Sequence, residues 1–265
     1  MLEGYAPGFA RDAVSMMAAR QAAERAVFAQ PLFVPGMWVV DVGCGPGSIT
    51  LGLAPGSRVL GVDRDAGQVE LARTAARRAG ASTVDFMAAS IYALPIADAT
   101  MDVAFAHALF EHLANPAAAL KELRRVLKPG GTLALSTSDW SRARLRPKTA
   151  NVDAALRGHY LLRRRAGGNP FAGKHIADQV TAAGFTNLHT RTRYRQDLTY
   201  RELAKYIEDR LVEALNTPGP EADRDQLASA ARSAWTWTRG TDGDFTQCWT
   251  ELTATTATAT TTTTT

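Results

Sequence analysis

Cysteine is scarce: only Cys44 and Cys248 occur in 265 residues. Cys44 sits inside a glycine-rich turn, so a structural disulfide is not expected and a reducing, cytoplasmic setting fits. No apolar run reaches membrane-spanning length, because charges or glycines interrupt every one, and no membrane span is expected. The opening stretch, MLEGYAPGFARDAVSMMAAR, lacks the basic start and apolar run of a signal peptide. Neither charge sign dominates. The net charge of +4 permits an anionic partner without demanding nucleic acid, and no specific nucleic acid is expected. No metal site is expected either. Apart from a threonine-rich end there are no repeats. What is present is a chain with 46% apolar residues, long enough for one large α/β domain with a buried core.

Strand and helix signals alternate along the first half. Ala10 to Gln30 reads as an amphipathic helix ended by Pro31 and Pro35. Strands are then expected at Met37–Val42, Arg58–Val62, Thr83–Ala88, Met101–Ala106 and Thr132–Thr137. Helices are expected at Pro46–Ala54, Asp65–Ala79 and Pro116–Leu127. Such alternation implies a parallel sheet with helices on both faces. Ser138 to Gly168 then reads as basic and irregular. Phe171–Ala183 is a helix closed by Gly184, and Phe185–Gln196 is a strand with His189, Arg191, Arg193 and Arg195 on one face. Charges there discourage edge-to-edge pairing. Thr199–Leu215 and Glu221–Arg239 read as helices split by TPGP. Asp244–Leu252 alternates like a strand, with Phe245, Gln247, Trp249 and Glu251 on one side. The end, TATTATATTTTTT, has nothing to bury and is expected to be disordered.

The stretch WVVDVGCGPGSITLGLAPGSRVLGVDRD carries the chemistry. A strand, a glycine turn and a helix place backbone N–H groups where a polar or anionic group binds, and glycines let the backbone touch the ligand. A dinucleotide site requires G-x-G-x-x-G. Here the spacing is Gly43-x-Gly45-x-Gly47 followed by Ser48, so the last glycine is misplaced. Asp63 closes the second strand, where a carboxylate accepts both hydroxyls of a ribose. That position alone does not separate a nucleotide site from a turn acid.

D-x-G-x-G-x-G, from Asp41 to Gly47, resembles motif I of the class I S-adenosylmethionine-dependent methyltransferases. VDFMAASIYALPIADATMDVAFAHALFEHLANP and LKELRRVLKPGGTLALST resemble the later strands of that superfamily, in the branch around the ubiquinone and menaquinone biosynthesis enzymes. The matching pieces are Leu94-Pro95, Asp102, Glu111-His112 and Lys128-Pro129-Gly130-Gly131, within Met37 to Thr137. The resemblance implies S-adenosylmethionine as cofactor and a small-molecule acceptor methylated by in-line displacement. It implies that the cofactor is held by Asp41, Gly43, Cys44, Gly45, Gly47, Asp63, Arg64, Ser90, Ile91 and Ala106. Relatives often carry Gly-Asp-Ala in the adenine loop; Ala89-Ser90-Ile91 stands here, so a neutral hydroxyl replaces a charged acceptor.

Catalytic residues are less marked. His107 is a candidate general base or substrate contact, or it shapes the pocket through its backbone. His112 reads as structural or as a more distant contact. Cys44, inside the turn, reads as a small pocket residue and not a nucleophile. No cysteine comes after the fourth strand in AHALFEH, and no Asp/Asn-Pro-Pro-aromatic patch occurs there, which argues against the best-marked nucleic-acid base methyltransferases. Arg142, Arg144, Arg146, Lys148, Arg157, Arg163, Arg164 and Arg165 form a basic segment, either solvated or steering an anionic substrate. Trp235 and Trp237 are expected to pack in a helix. RNA or protein methylation, and a binding module without catalysis, remain the alternatives.

The family sheet has order 3-2-1-4-5-7-6 with strand seven antiparallel, a Rossmann-like α/β fold. Strands five and six would then end at the edge that carries the glycine turn, and the segments after those two strands would cover the site. The expected organisation is one domain over residues 1–253. Within it, 1–35 form an N-terminal helical cover that includes Tyr5, 36–137 the cofactor core, 138–170 a basic insertion and 199–239 a helical lid between strands six and seven. Residues 254–265 form the tail.

Overall fold

The valine-rich stretches VVDV and RVLGV, each leading into glycine or an acid, build the centre of a seven-stranded sheet. The computed structural model describes residues 17–53, 57–217 and 221–258. Its strands are β1 (Trp38–Val42), β2 (Arg58–Asp63), β3 (Val84–Ala88), β4 (Met101–His107), β5 (Leu127–Arg146), β6 (Thr186–Arg195) and β7 (Asp244–Thr255). They lie in the order β3-β2-β1-β4-β5-β7-β6. β1 to β5 pair in parallel, and β7 runs antiparallel to both β5 and β6. The expected fold class, strand order and direction are all present.

The helices are α1 (Ala22–Arg25, one turn), α2 (Ala66–Ala79), α3 (Pro116–Val126), α4 (Ala150–Arg165), α5 (Ala172–Ala182), α6 (Tyr200–Asn216) and α7 (Arg224–Thr238). The period of two along each strand splits the core between the two faces. Val40, Val42, Ala104 and Ala106 face α3 and α5, packing with Leu120, Leu123, Ile176 and Val180. Val39, Val103 and Phe105 face the other way, against Ala22, Ala26 and Ala29. The caps match their residue types: Asp65 accepts from Gln68 N at 2.8 Å, Asn115 from Ala118 N at 3.0 Å, and Thr199 and Glu202 form a reciprocal capping box.

Four expectations are corrected. Pro46–Ala54 is not a helix; over its described part only a 3-10 turn forms, Thr50–Gly52. Gly47 sits at φ +79, a left-handed conformation that interrupts a right-handed helix. Ser138–Gly168 is not irregular: β5 continues to Arg146, and α4 comes next with Thr149 as its cap. Arginines on the outer face of that strand and in the last turn of α4 hid the buried positions Val152, Ala155 and Leu156. The expected long first helix is broken in its described part: Met17 and Ala18 are helical, the chain leaves the helix at residues 19–21, and the single turn α1 follows; Tyr5 and residues 1–16 lie outside the described residues. Finally, β7 runs through Thr255, past the expected start of the tail, and Thr256 donates through N to Gly131 O at 2.9 Å and through Oγ1 to Lys128 O at 2.7 Å.

α6 and α7 do stand between β6 and β7. They bury a second cluster with α4 and the outer ends of β5 and β7, including Trp140, Leu156, Leu203, Ile207, Trp237 and Phe245. Trp237 packs inside, while Trp235 is exposed.

Candidate active site

After β1 the chain turns through Gly43, Gly45 and Gly47 at φ +71, +52 and +79. Its N–H groups are already taken. Gly43 N and Cys44 N donate to Val62 O at 2.7 and 3.1 Å, Gly47 N to Cys44 O at 3.1 Å, and Gly45 N to Asp63 Oδ2 at 2.9 Å. A pyrophosphate would therefore find no free donor on these four residues. What the turn offers is space. Among the described residues, a Cβ built on Gly45 would meet only Met17 Sδ, 3.7 Å away.

Asp63 is fixed by the turn it fixes. Oδ2 accepts from Gly45 N, Oδ1 accepts from Asp65 N at 2.9 Å, and each oxygen keeps acceptor capacity. Burial raises its pKa. Beside it, Arg64, Ser90, Ile91, His107, Gly43, Cys44 and Gly45 line one cavity, together with Val62, Tyr92, Leu109 and Leu113. The loop carrying Ser90 is held from α3. Leu94 N donates to Glu122 Oε1 at 2.7 Å, and Arg125 donates to Leu94 O at 2.9 Å and Ile96 O at 2.8 Å. Ser90 Oγ accepts from Tyr92 N at 3.2 Å, so its hydroxyl proton remains to be donated.

Three expected cofactor residues stand behind this wall. Asp41 is buried beneath the turn, accepts from Thr50 Oγ1 at 2.6 Å, and has its pKa pushed up to about 7 by burial. Gly47 is a packing glycine: a Cβ there would lie 2.8 Å from both Ala72 Cβ and Phe86 Cζ. Ala106 belongs to the core beside Ala104. Burial also pushes the Cys44 thiol up, which suits an inert pocket residue.

A second cavity adjoins the first, and the two share Met17, Arg20, Ala108 and His112. Its other walls are Ser138 and Trp140 from β5, Arg163 from α4, Leu203 and Tyr206 from α6, and Phe245, Gln247 and Trp249 from β7. His107 stacks on Trp249 at 4.9 Å between ring centroids and 19° from parallel. Its pKa is lowered well below 6.5, first by burial and then by Arg20, Arg25 and Arg195. Neither ring nitrogen has a hydrogen-bond partner among the described residues.

Sequence reasoning gave no role to Ser138, Trp140, Phe245, Gln247 or Trp249 of the second cavity; Arg163 entered only within the basic segment, and Leu203 and Tyr206 only within the 199–239 cover. The face Phe245, Gln247, Trp249 was visible as an alternation, but nothing marked it as a lining. Half of the basic segment is engaged elsewhere. Arg142 donates to Thr192, Arg144 stacks on Tyr194 at 3.7 Å, Lys148 pairs with Asp153 and Arg165 with Asp223. The edge arginines converge on one buried acid: Arg191 and Arg195 reach Glu251 at 2.5 and 3.0 Å, with Arg193 at 3.9 Å.

Residues 40–135 match the family model described as a methyltransferase domain. The match covers the glycine turn, Asp63, the Ser90 loop and His107, the same residues that build the first cavity. That stretch is a methyltransferase domain, similar to the class I S-adenosylmethionine-dependent methyltransferases. Among relatives, an uncharacterized methyltransferase of Schizosaccharomyces pombe is 34% identical over 57% of this chain and 58% of its own length. A ubiquinone biosynthesis O-methyltransferase of Cereibacter sphaeroides is 34% identical over 40% of this chain and 43% of its own. The chain thus spans about half the length of the curated relatives it matches. In fold it is similar to the [4+2]-cyclase SpnF, with a TM-score of 0.58 and 22% identity over 98% of this chain and 88% of the other. For a class I methyltransferase the first cavity has the right chemistry: open space at Gly45, a carboxylate with spare acceptor capacity at Asp63, and apolar walls from Val62, Ile91 and Leu113. Among the described residues no group of three or more His, Cys, Asp or Glu side chains is placed to hold a metal, and no helix is long and apolar enough to cross a membrane.

Proposed function

We propose that this chain transfers a methyl group from S-adenosylmethionine to a small-molecule acceptor seated in the second cavity. The observation that carries the reading is the junction of the two cavities at Met17, Arg20, Ala108 and His112, with Leu203 and Tyr206 of the inserted helices in the wall of the second. Bound in the first cavity, S-adenosylmethionine supplies a methyl group made electrophilic by its sulfonium. The residues of this chain do the rest. Asp63 would accept from the ribose hydroxyls, Ser90 and the Ile91 backbone would receive the adenine, and the glycine turn would admit the methionine end. Asp41 and Gly47 support that turn from beneath. His107, neutral because of its burial, is the candidate to take a proton from the acceptor. The aromatic walls exclude water and hold the acceptor in line, a source of much of the rate in such displacements.

A small acceptor is favoured over RNA or protein because much of the basic segment is consumed by ion pairs and stacking. The fold also occurs in a protein named as a cyclase, so a module without methyl transfer is the reading to exclude. Incubation with methyl-labelled S-adenosylmethionine and a fractionated cell extract, with mass spectrometry of the products, decides it. A labelled small molecule together with S-adenosylhomocysteine is the expected result. Label in RNA or protein, or no S-adenosylhomocysteine with any fraction, overturns the proposal.

A further inference from the structure

The second cavity is built with more hydrogen-bond donors than the protein itself uses. Trp140 Nε1, Trp249 Nε1 and Arg163 Nη1 are buried and have no partner among the described residues. Each can only donate. The Ser138 hydroxyl is also unpartnered, and the single unpartnered acceptor on this lining is Gln247 Oε1, whose own amide nitrogen is spent on Cys248 O at 3.0 Å. All five residues line this cavity.

Arg163 is the most telling of them. Its side chain lies on α4, 9% exposed, with Nε donating to His159 Nε2 at 3.2 Å and no carboxylate within ion-pair distance among the described residues. A buried guanidinium without a counter-ion is costly, and proteins rarely keep one. The charges around the cavity leave it uncompensated. Of the acids nearby, Asp197 is taken up by Arg25 at 2.7 and 3.0 Å, Glu111 accepts from Thr137 Oγ1 at 2.6 Å and Asp139 Oδ1 accepts from Ser141 Oγ at 2.6 Å, and none of the three forms an ion pair with Arg163. The remaining wall, Leu198, Leu203, Tyr206 and Phe245, is apolar or aromatic.

Resting on the reading that this cavity seats the methyl acceptor, we infer that the acceptor is an apolar or aromatic small molecule bearing a carboxylate, with Arg163 as its counter-ion and the indole N–H groups of Trp140 and Trp249 as further donors. The carboxylate supplies the missing charge, and its oxygens match three donor-only atoms. Arg163 acts on the acceptor and has no part in holding the cofactor, since it lines only the second cavity.

The test uses the full chain saturated with S-adenosylhomocysteine. Calorimetry is run with benzoate, cinnamate and 2-naphthoate, each beside its primary amide as a neutral counterpart of the same shape. At least one carboxylate should bind tenfold or more tightly than its amide. Arg163→Gln should erase that preference while leaving S-adenosylhomocysteine affinity unchanged. Trp140→Phe, which keeps an aromatic ring and removes the N–H, should reduce the preference about threefold. The comparison in the parent protein needs no variant, so a folding defect in Arg163→Gln does not shield the idea. If no carboxylate outcompetes its amide, or if the preference survives Arg163→Gln, the inference is wrong. Failure of S-adenosylhomocysteine to bind the parent protein would instead overturn the methyltransferase reading itself.

Discussion

The His107 imidazole lies flat on the Trp249 indole, 4.9 Å between centroids and 19° from parallel. His107 lines the first cavity and Trp249 the second, so the stacked pair is part of the partition between them. The contact exists because β7 returns antiparallel beside β5 and carries Trp249 back to the edge where β4 ends in His107. His107→Phe preserves the stack and removes the nitrogens. It should leave S-adenosylhomocysteine affinity within about threefold and lower kcat by roughly 10²-fold or more, the usual worth of a positioned base. A kcat equal to the parent's would restrict His107 to a wall. Because its pKa lies well below 6.5, the imidazole is neutral at pH 6.5 and above, and activity should not decline through that group until the pH falls well under 6.5.

Asp63 is the second test. Asp63→Ala should weaken cofactor binding by about 1.5–3 kcal/mol through loss of charge-assisted hydrogen bonds. The carboxylate also anchors Gly45 N and Asp65 N, so Asp63→Asn is the companion variant, with a smaller loss and a better-kept turn. Calorimetry with S-adenosylhomocysteine reads both. An unchanged dissociation constant in a folded variant would make Asp63 a turn residue only.

Gly45→Val should abolish cofactor binding, because among the described residues the only atom near its Cβ position is Met17 Sδ and the added side chain would take the space the methionine end needs. The φ of +52 adds about 1–2 kcal/mol of backbone strain, which circular dichroism of the unliganded variant registers as a lowered melting temperature. Retained binding would mean that the turn does not cradle the cofactor.

Asp41 makes stability depend on pH. Its folded pKa of about 7 lies above the ordinary 3.8, so the folded state holds the proton more tightly than the unfolded chain. The resulting stabilisation is complete below pH 3.8 and is lost as the pH rises through about 7. Asp41→Asn keeps a hydrogen-bonding group for Thr50 and carries no charge. Relative to the parent it should gain stability as the pH rises from 4 to 8, by an amount on the order of 2–4 kcal/mol. Denaturant unfolding at a series of pH values measures it, and parallel curves for the two proteins would refute it.

Much of the first cavity's lining could be read from residue order, because its constraints are local. Left-handed turn positions demand glycine, and a ribose-binding acid must close the next strand; both rules leave marks within Asp41 to Asp63. The lining of the second cavity was legible only in part, for the opposite reason. Trp140, Arg163, Tyr206 and Trp249 come from four elements scattered over the second half of the chain, and none carries a local signature. Arg163 was masked by its neighbours Arg164 and Arg165, which the helix turns toward other surroundings: Arg164 toward the ring of Phe171 and Arg165 toward Asp223. Asp41 and Gly47 show the limit of motif transfer. Both match the family pattern, yet their work is to hold up the turn and not to line the cavity.

The inserted helices should govern the acceptor and not the cofactor. Leu203 and Tyr206 of α6 line the second cavity, and no described residue from Thr199 to Arg239 lines the first. Removing α6 and α7 outright is a poor test, because they share one buried cluster with Trp140, Leu156 and Phe245, and their loss would strip that cluster bare. Tyr206→Ala is sharper. The side chain is half-buried, so its loss opens the cavity without emptying the core of the cluster. For the acceptor found by labelling, KM should rise about tenfold or more, reflecting the roughly 1–3 kcal/mol that aromatic contact with a ligand typically contributes. The dissociation constant for S-adenosylhomocysteine should stay put. A parallel change in both constants would mean that α6 shapes the whole site. An unchanged KM in a folded variant would move the acceptor away from these helices and onto the side of Met17, Arg20 and His112.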